Sequence, residues 1–133
     1  MEVELYSDGA SRGNPGPAAA GAWLLEAGTG RELARLKKAL GIATNNEAEY
    51  AALILGLTEA KRLGATSVTV FADSELVIKQ LTGAYKVKHP VMKVRHQEAM
   101  RLLAGFGTWR AAHVPREQNK EADGLANQAL DEL

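Results

Sequence analysis

Apolar and polar residues alternate at the start of the chain. Val3 and Leu5 are flanked by polar neighbours, a pattern that predicts a half-buried strand ending at Asp8 and Gly9. Residues 10–17 are rich in glycine and proline, so we expect a loop there. The chain therefore begins with one short strand followed by an irregular segment.

Two more strands are predicted before the first helix. Residues 18–27 are largely apolar, and the turn at 28–30 contains two glycines that send the chain back into residues 32–40. Residues 32–40 also fit a short helix, and we interpret them as a strand. Three strands joined by short loops predict an antiparallel meander.

A helix follows, with recognisable signals at both ends. Thr44 and Glu47 have the spacing of a capping box, and Gly64 after Leu63 is a usual helix stop. Glu49 falls on the same stripe of this helix as its apolar residues. A carboxylate in that position is costly unless something compensates its charge.

The second half of the chain alternates strands and helices. We predict strands at 67–72 and 108–113, helices at 74–81 and 90–104, and a closing helix at 119–133. The inward residues of the closing helix are predicted to be Ala122, Leu125, Ala126, Ala129 and Leu133. This order predicts one α/β domain over residues 1–133, in which helices flank a mixed sheet.

Composition narrows the class of protein. The 133 residues are 46% hydrophobic and 24% charged, and 16 basic residues balance 16 acidic ones. Zero net charge argues against a binder that holds nucleic acid through bulk positive charge. The absence of cysteine excludes disulfides and thiolate metal sites, and no signal peptide or membrane-spanning run is found. We expect a cytoplasmic protein that does not associate with membranes.

Four acids carry the predicted chemistry. Asp8 and Asp73 follow predicted strands, and Glu49 and Asp123 lie near the beginnings of helices. Taken singly, each acid also fits a surface carboxylate or a helix cap. Together they repel one another unless divalent cations neutralise them, and all-oxygen ligands suit Mg²⁺, or Mn²⁺ as an alternative. Two such ions about 4 Å apart can support phosphodiester cleavage.

The chain resembles the type 1 ribonuclease H family. The matching motifs occur in the family's order and span nearly the whole chain: SDGASRGNPGPAAAG at 7–21, TNNEAEYAAL at 44–53, FADSELV at 71–77 and HVPREQNKEADGLAN at 113–127. The resemblance implies a five-stranded mixed sheet with helices and hydrolysis of the RNA strand of RNA/DNA hybrids. It implies a metal-binding set of Asp8, Glu49, Asp73 and Asp123.

The same resemblance implies the residues that bind the hybrid. It places Gly13, Asn14, Asn45 and Asn46 in the minor groove, where an Asn amide can bond RNA 2′-hydroxyls as donor or acceptor. It places Thr44 at a phosphate of the DNA strand, although a cap role alone would also explain this residue.

Two departures from the family pattern affect the expected site. Many members carry a mobile loop before the last acid, and a His in that loop helps the product leave. Here the segment after His113 is short and contains no His. We assign that role to Arg116, and we interpret His113 as a packed or hydrogen-bonded strand residue. The chain also begins at its first strand, so we expect no separate N-terminal hybrid-binding domain.

A basic segment is the second departure, because it replaces the Trp-rich protrusion of some members. Residues 79–101 contain six basic residues and one acidic residue. A solvated helix face would explain part of this excess. Tyr85 beside Lys86 and Lys88 better fits a clamp on the DNA backbone.

The leading hypothesis is thus a monomeric endonuclease that needs no protein partner. It would use two Mg²⁺ ions per site and leave 5′-phosphate and 3′-hydroxyl ends. One alternative is a noncatalytic hybrid-binding module of the same fold, which has no reason to hold four acids together. Another is a nucleotide-binding domain, but neither GxGxxG nor GxxxxGK[ST] occurs.

Overall fold

The computed structural model describes residues 1–133 and contains five strands and four α-helices. In chain order they are β1 (Glu2–Ser11), β2 (Gly16–Glu26), β3 (Glu32–Ala43), α1 (Asn45–Arg62), β4 (Ser67–Ala72), α2 (Glu75–Leu81), α3 (Pro90–Ala104), β5 (Thr108–His113) and α4 (Lys120–Asp131). A 3₁₀ turn, Arg116–Gln118, precedes α4. None of the helices combines the length and apolar character that a membrane crossing requires.

The strands form one mixed sheet in the order β3-β2-β1-β4-β5. β1, β2 and β3 are antiparallel neighbours, and β4 and β5 run parallel to β1. This arrangement confirms the predicted sheet, including the strand interpretation of residues 32–40. A short turn lays that segment beside β2, and the resulting backbone ladder overrides its local helix preference.

β1 is longer than predicted. It continues through Ala10 to Ser11, and β2 already begins at Gly16, so the prediction that β1 ends at Asp8 and Gly9 and that residues 10–17 are all loop is wrong. The antiparallel ladder with β2 continues from the pair Asp8–Gly21 to the pair Ser11–Ala18 and supplies backbone partners to the extra residues. Asp8 consequently lies inside a strand rather than at its end.

Two glycines bring helices close to opposite faces of the sheet. A Cβ atom on Gly9 would lie 2.2 Å from the Ala48 carbonyl carbon of α1, and one on Gly21 would lie 2.2 Å from the Ala122 oxygen of α4. Gly21 is paired with Asp8, and residues 8 and 9 of a strand point to opposite faces. Hence α1 and α4 pack on opposite sides of β1 and β2, each at van der Waals distance.

The ends of α1 follow the sequence prediction. Thr44 precedes the helix, and its Oγ1 accepts the Glu47 backbone N–H at 3.2 Å. Gly64 follows the helix with a φ of 83°, a conformation that glycine adopts without strain. The helix is thereby fixed in register, and Glu49 lies in its fifth position.

The inward face of α4 is predicted correctly except at its end. Ala122, Leu125, Ala126 and Ala129 are buried, but Leu133 is 76% exposed. The helix ends at Asp131, so the helical spacing no longer applies to Leu133. Leu130 takes the inward position in the last turn.

Candidate active site

Three carboxylates meet where β1 and β4 stop running side by side. The parallel ladder ends at the pair Ser7–Ala72, so Asp8 is the next residue of β1 and Asp73 directly follows β4. Glu49 reaches the same point from α1. One oxygen from each of the three acids lies within 4.8 Å of the others.

Asp123 faces the same space from the first turn of α4. It lines a cavity of about 440 Å³ together with the other three acids. The wall is otherwise largely polar and includes Arg12, Asn45, Asn46, Ser74, Arg116 and Asn127. The structure therefore brings all four predicted acids to one open cavity, although Asp123 lies outside the tight group of three.

Burial places these acids under electrostatic strain. Asp8 is 5% exposed and Glu49 is 9% exposed. Burial raises the pKa of the Asp8 carboxyl, and neighbouring carboxylates raise it further. Burial also raises the pKa of Glu49, against a lowering effect of the Gly9 backbone N–H, which donates to Glu49 Oε1 at 2.6 Å.

No basic side chain forms an ion pair with any of the four acids. The nearest candidates on the cavity wall are Arg12, which pairs with Asp131 instead, and Arg116, which forms no ion pair. A buried cluster of like charges is unfavourable without a counter-charge. Since every donor atom is a carboxylate oxygen, the cluster fits a hard divalent cation such as Mg²⁺ or Mn²⁺.

The three Asn residues assigned to the hybrid lie beside this cavity. Asn45 and Asn46 line it directly. Asn46 and Asn14 also line a neighbouring cavity of about 250 Å³. The Asn45 backbone N–H donates to Asn14 Oδ1 at 3.0 Å, which leaves the Asn14 amide nitrogen as a free donor. The side chains thus form a continuous polar edge next to the acids.

Thr44 and Gly13 differ from these residues. Thr44 lines the smaller cavity, but its hydroxyl accepts the Glu47 N–H and lies 3.2 Å from Glu47 Oε1. The Thr44 hydroxyl is therefore already engaged in capping α1. Gly13 is exposed in the β1–β2 turn with a φ of 119° and lines neither cavity.

Arg116 lies on the wall of the acidic cavity, and His113 does not. Arg116 lines the acidic cavity from the 3₁₀ turn. His113 is exposed at the end of β5, and its side chain forms no hydrogen bond, so the expectation that it is packed or hydrogen-bonded is wrong. The sheet edge leaves its side chain in solvent near Glu75, whose pKa is lowered chiefly by the hydrogen bond and charge of Lys79.

The basic segment forms a separate surface. Tyr85 and Lys86 line a third cavity, of about 350 Å³, that includes Lys93 and His96. The Lys79 ammonium lies 4.9 Å from the centre of the Tyr85 ring, which is 45% exposed. Lys86 and Lys88 form no ion pairs, so both charges are available to a polyanion.

Some residues of the site escaped the sequence reasoning. Asn127 Nδ2 donates to Asp123 Oδ1 at 3.2 Å, one helical turn away. Asn119 Nδ2 donates to Asp73 Oδ1 at 3.3 Å, although 46 residues separate the two. The i+4 spacing from Asp123 is a signal for Asn127, whereas no local pattern links Asn119 to Asp73.

Comparison with known proteins identifies the family. A family model described as reverse transcriptase-like matches residues 6–129. The crystal structure of RNase H1 from the halophilic archaeon Halobacterium salinarum superposes with a TM-score of 0.97 at 47% identity, over the whole of both chains. The chain belongs to the type 1 ribonuclease H family. This membership confirms the resemblance inferred from the four motifs.

Further relatives extend the comparison. The protein named ribonuclease HI of Halobacterium salinarum is 49% identical over 130 residues, which is 98% of this chain and 65% of the relative. The chain spans 36% of the mycobacterial relatives that are 47% identical to it. LC11-RNase H1, solved in complex with an RNA/DNA hybrid, has a TM-score of 0.92 at 36% identity, with 98% and 97% of the two chains covered.

Proposed function

We propose that this chain is a metal-dependent endonuclease that hydrolyses the RNA strand of RNA/DNA hybrids. The observation that carries the proposal is a cavity with four carboxylates and no basic side chain paired with them. Family membership and the relative solved with an RNA/DNA hybrid support the choice of substrate. A protein that only bound the hybrid would gain nothing from buried like charges.

Asp8, Glu49, Asp73 and Asp123 would hold two Mg²⁺ ions, or Mn²⁺ in their place. Such ions neutralise the carboxylates, activate a water and stabilise a departing oxygen in phosphodiester hydrolysis. Asp8 and Glu49 are buried, and the Gly9 backbone N–H donates to Glu49 Oε1, so their carboxylates are restrained before substrate arrives. Asp73 and Asp123 are more exposed and line the same cavity.

The polar edge beside the acids would select RNA in the minor groove. Asn14, Asn45 and Asn46 are exposed, and their amides can bond 2′-hydroxyls without reading the base sequence. Gly13, at the tip of the neighbouring turn, would let a sugar approach its backbone. Thr44 would bind a DNA phosphate only if its hydroxyl turned from the Glu47 carboxylate to that phosphate.

Arg116 would help the cleaved strand leave. Its guanidinium is the one unpaired cationic group on the cavity wall, so it can attract the new 5′-phosphate away from the acids. Tyr85, Lys86 and Lys88 would bind the DNA strand at a distance from the acids. Their contribution would be to affinity, because they do not line the acidic cavity.

The direct test is incubation of the protein with an end-labelled RNA/DNA hybrid, with and without Mg²⁺. We expect cleavage of the RNA strand only with Mg²⁺, at sites flanked by consecutive ribonucleotides, and products with 5′-phosphate and 3′-hydroxyl ends. Hybrid binding without cleavage would favour the noncatalytic module. Equal cutting of duplex DNA, or a 2′,3′-cyclic phosphate product, would contradict the proposed reaction.

We also propose that the chain acts as a cytoplasmic monomer. All four acids come from one chain, so the site needs no residue from a second copy. A chain without cysteine has no disulfide that an oxidising compartment would have to form. Light scattering at the concentration of the cleavage assay tests the monomer, and activity that rises with dimer content would contradict it.

A further inference from the structure

A buried amide at the start of α4 touches the elements that carry three of the acids. Asn119 is 1% exposed, and its Nδ2 donates to the Ser7 carbonyl at 2.9 Å and to Asp73 Oδ1 at 3.3 Å. Ser7 directly precedes Asp8. The Asn119 carbonyl accepts the Asp123 N–H at 3.1 Å, in the first turn of the helix. This one residue is therefore bonded to β1, to Asp73 and to α4.

The orientation of the amide is fixed by its partners. Both groups that face Nδ2 are acceptors, so a flipped amide would set an oxygen against two oxygens. The Asn119 Oδ1 is buried and receives no hydrogen bond from the protein. The side chain also makes no capping bond to α4. The two hydrogen bonds that Nδ2 donates are therefore the polar contacts that account for an amide at this position.

We propose that Asn119 is a positioning residue that prepares the acidic cavity for its cations. Its hydrogen bond to Oδ1 restrains the Asp73 carboxylate and leaves Oδ2 free of protein partners. Its bond to the Ser7 carbonyl holds the start of α4, and hence Asp123, against β1. The inference rests on the proposed function, because it assigns the restrained carboxylates to cation binding.

A purely structural role makes a different prediction. If Asn119 only stabilised the fold, its loss would lower cation affinity no more than any core substitution of similar cost. Val68 offers a matched control because it is fully buried in β4, at the end of that strand opposite Asp73. Val68→Ala removes core packing without touching the cavity.

The test measures Mn²⁺ binding without substrate, by the electron paramagnetic resonance of free Mn²⁺, in the unmodified chain, Asn119→Leu and Val68→Ala. Removing a group that orients a metal ligand commonly weakens affinity about 10- to 100-fold. We expect a loss in that range for Asn119→Leu and less than twofold for Val68→Ala. The Mg²⁺ midpoint of cleavage should rise in parallel, with KM for the hybrid within twofold.

Asn119→Ala serves as a second variant with a smaller side chain. Unchanged Mn²⁺ affinity in either folded variant would overturn the positioning role, as would an equal loss in Val68→Ala. Failure of both variants to fold, judged by circular dichroism, would also count against it. Absence of Mn²⁺ binding by the unmodified chain would instead contradict the proposed function, so the two failures are distinguishable.

Discussion

Acids on and just beyond α4 have different surroundings. Asp123 faces the cavity and has no basic partner, whereas Glu121 pairs with Arg35 at 2.8 Å and Glu132, just past the helix, pairs with Lys37 at 2.6 Å. The paired acids are exposed and tie α4 to β3. The same residue types thus serve as surface ion pairs at one place and as uncompensated charges at another. This difference supports the proposal that the acids of the cavity bind a cation.

Removing one cavity acid should have the largest effect on cleavage. Asp8→Asn, Glu49→Gln or Asp73→Asn keeps the shape and removes charge, so cleavage should fall at least about a thousandfold, or about 4 kcal/mol, while hybrid binding persists. Asp123→Asn should be less severe, because Asp123 lies outside the tight group. Single-turnover cleavage measures the loss.

Glu121→Gln is the matched control on the same helix, because it removes an acid that is already paired. Its cleavage rate should equal that of the unmodified chain. Full activity of Asp8→Asn at saturating Mg²⁺ would refute the metal-site assignment.

Stability in the absence of divalent cations should depend on pH with an unusual sign. The raised pKa values of Asp8 and Glu49 mean that the folded protein holds protons more tightly than the unfolded chain. Stability is then greatest below the ordinary carboxyl pKa and falls as the pH rises, by about 1.4 kcal/mol per pH unit for each proton retained. Denaturant unfolding in EDTA between about pH 5 and 8 measures the slope, because this range lies above the ordinary carboxyl pKa and spans the raised Glu49 pKa of about 7.

Asp8→Asn should flatten this slope, and Mg²⁺ should restore stability most at the high end of the range. Stability that rises with pH in EDTA would show that the carboxyls carry no strain. Such a result would remove the contrast between the cavity and the paired acids of α4.

Arg116 should affect turnover rather than binding. It is the unpaired cation on the cavity wall, and we expect Arg116→Ala to lower kcat about tenfold, or about 1.4 kcal/mol, with little change in KM. Steady-state kinetics on a labelled hybrid give both constants. His113→Ala should change neither turnover nor stability, because its side chain is exposed. Dependence of turnover on His113 would reverse the two assignments.

The basic segment should contribute affinity without chemistry. Lys86→Ala or Lys88→Ala should weaken binding of every hybrid sequence alike, and each should flatten the slope of log affinity against log salt by about one. Tyr85→Ala should cost about 1–3 kcal/mol more if the ring stacks on a base or sugar. A salt titration in Ca²⁺ measures binding, and an unchanged slope would identify this segment as solvated surface.

The smallest effect is expected at the exposed ion pairs. Arg35→Ala removes the partner of Glu121, but both side chains are largely in solvent, where salt screens them. We expect a decrease in melting temperature of a few degrees at most, lost in high salt, and unchanged cleavage. A large loss of cleavage would mean that the ion pair, rather than packing at Gly21, holds Asp123 in place.

Local sequence was sufficient for most of the elements and for the identity of the acids. Thr44 and Gly64 limit α1 because their preferences depend on neighbouring backbone atoms, and the β5 range matches the prediction. The motifs around the four acids were specific enough to identify the family. The predicted extent of β1 was wrong because its ladder with β2 continues past Asp8. The predicted burial of Leu133 and packing of His113 were wrong because α4 ends at Asp131 and β5 ends at the sheet edge.

Residue types and their local spacing specify which side chains can perform the chemistry, since carboxylates, amides and helical or strand periodicity are local properties. How these side chains meet depends on tertiary contacts. Gly9 and Gly21 set how closely α1 and α4 approach the sheet, and the Asn119 amide joins Ser7 to Asp73. These contacts span up to 112 residues, and no short-range periodicity encodes a hydrogen bond between atoms so far apart along the chain.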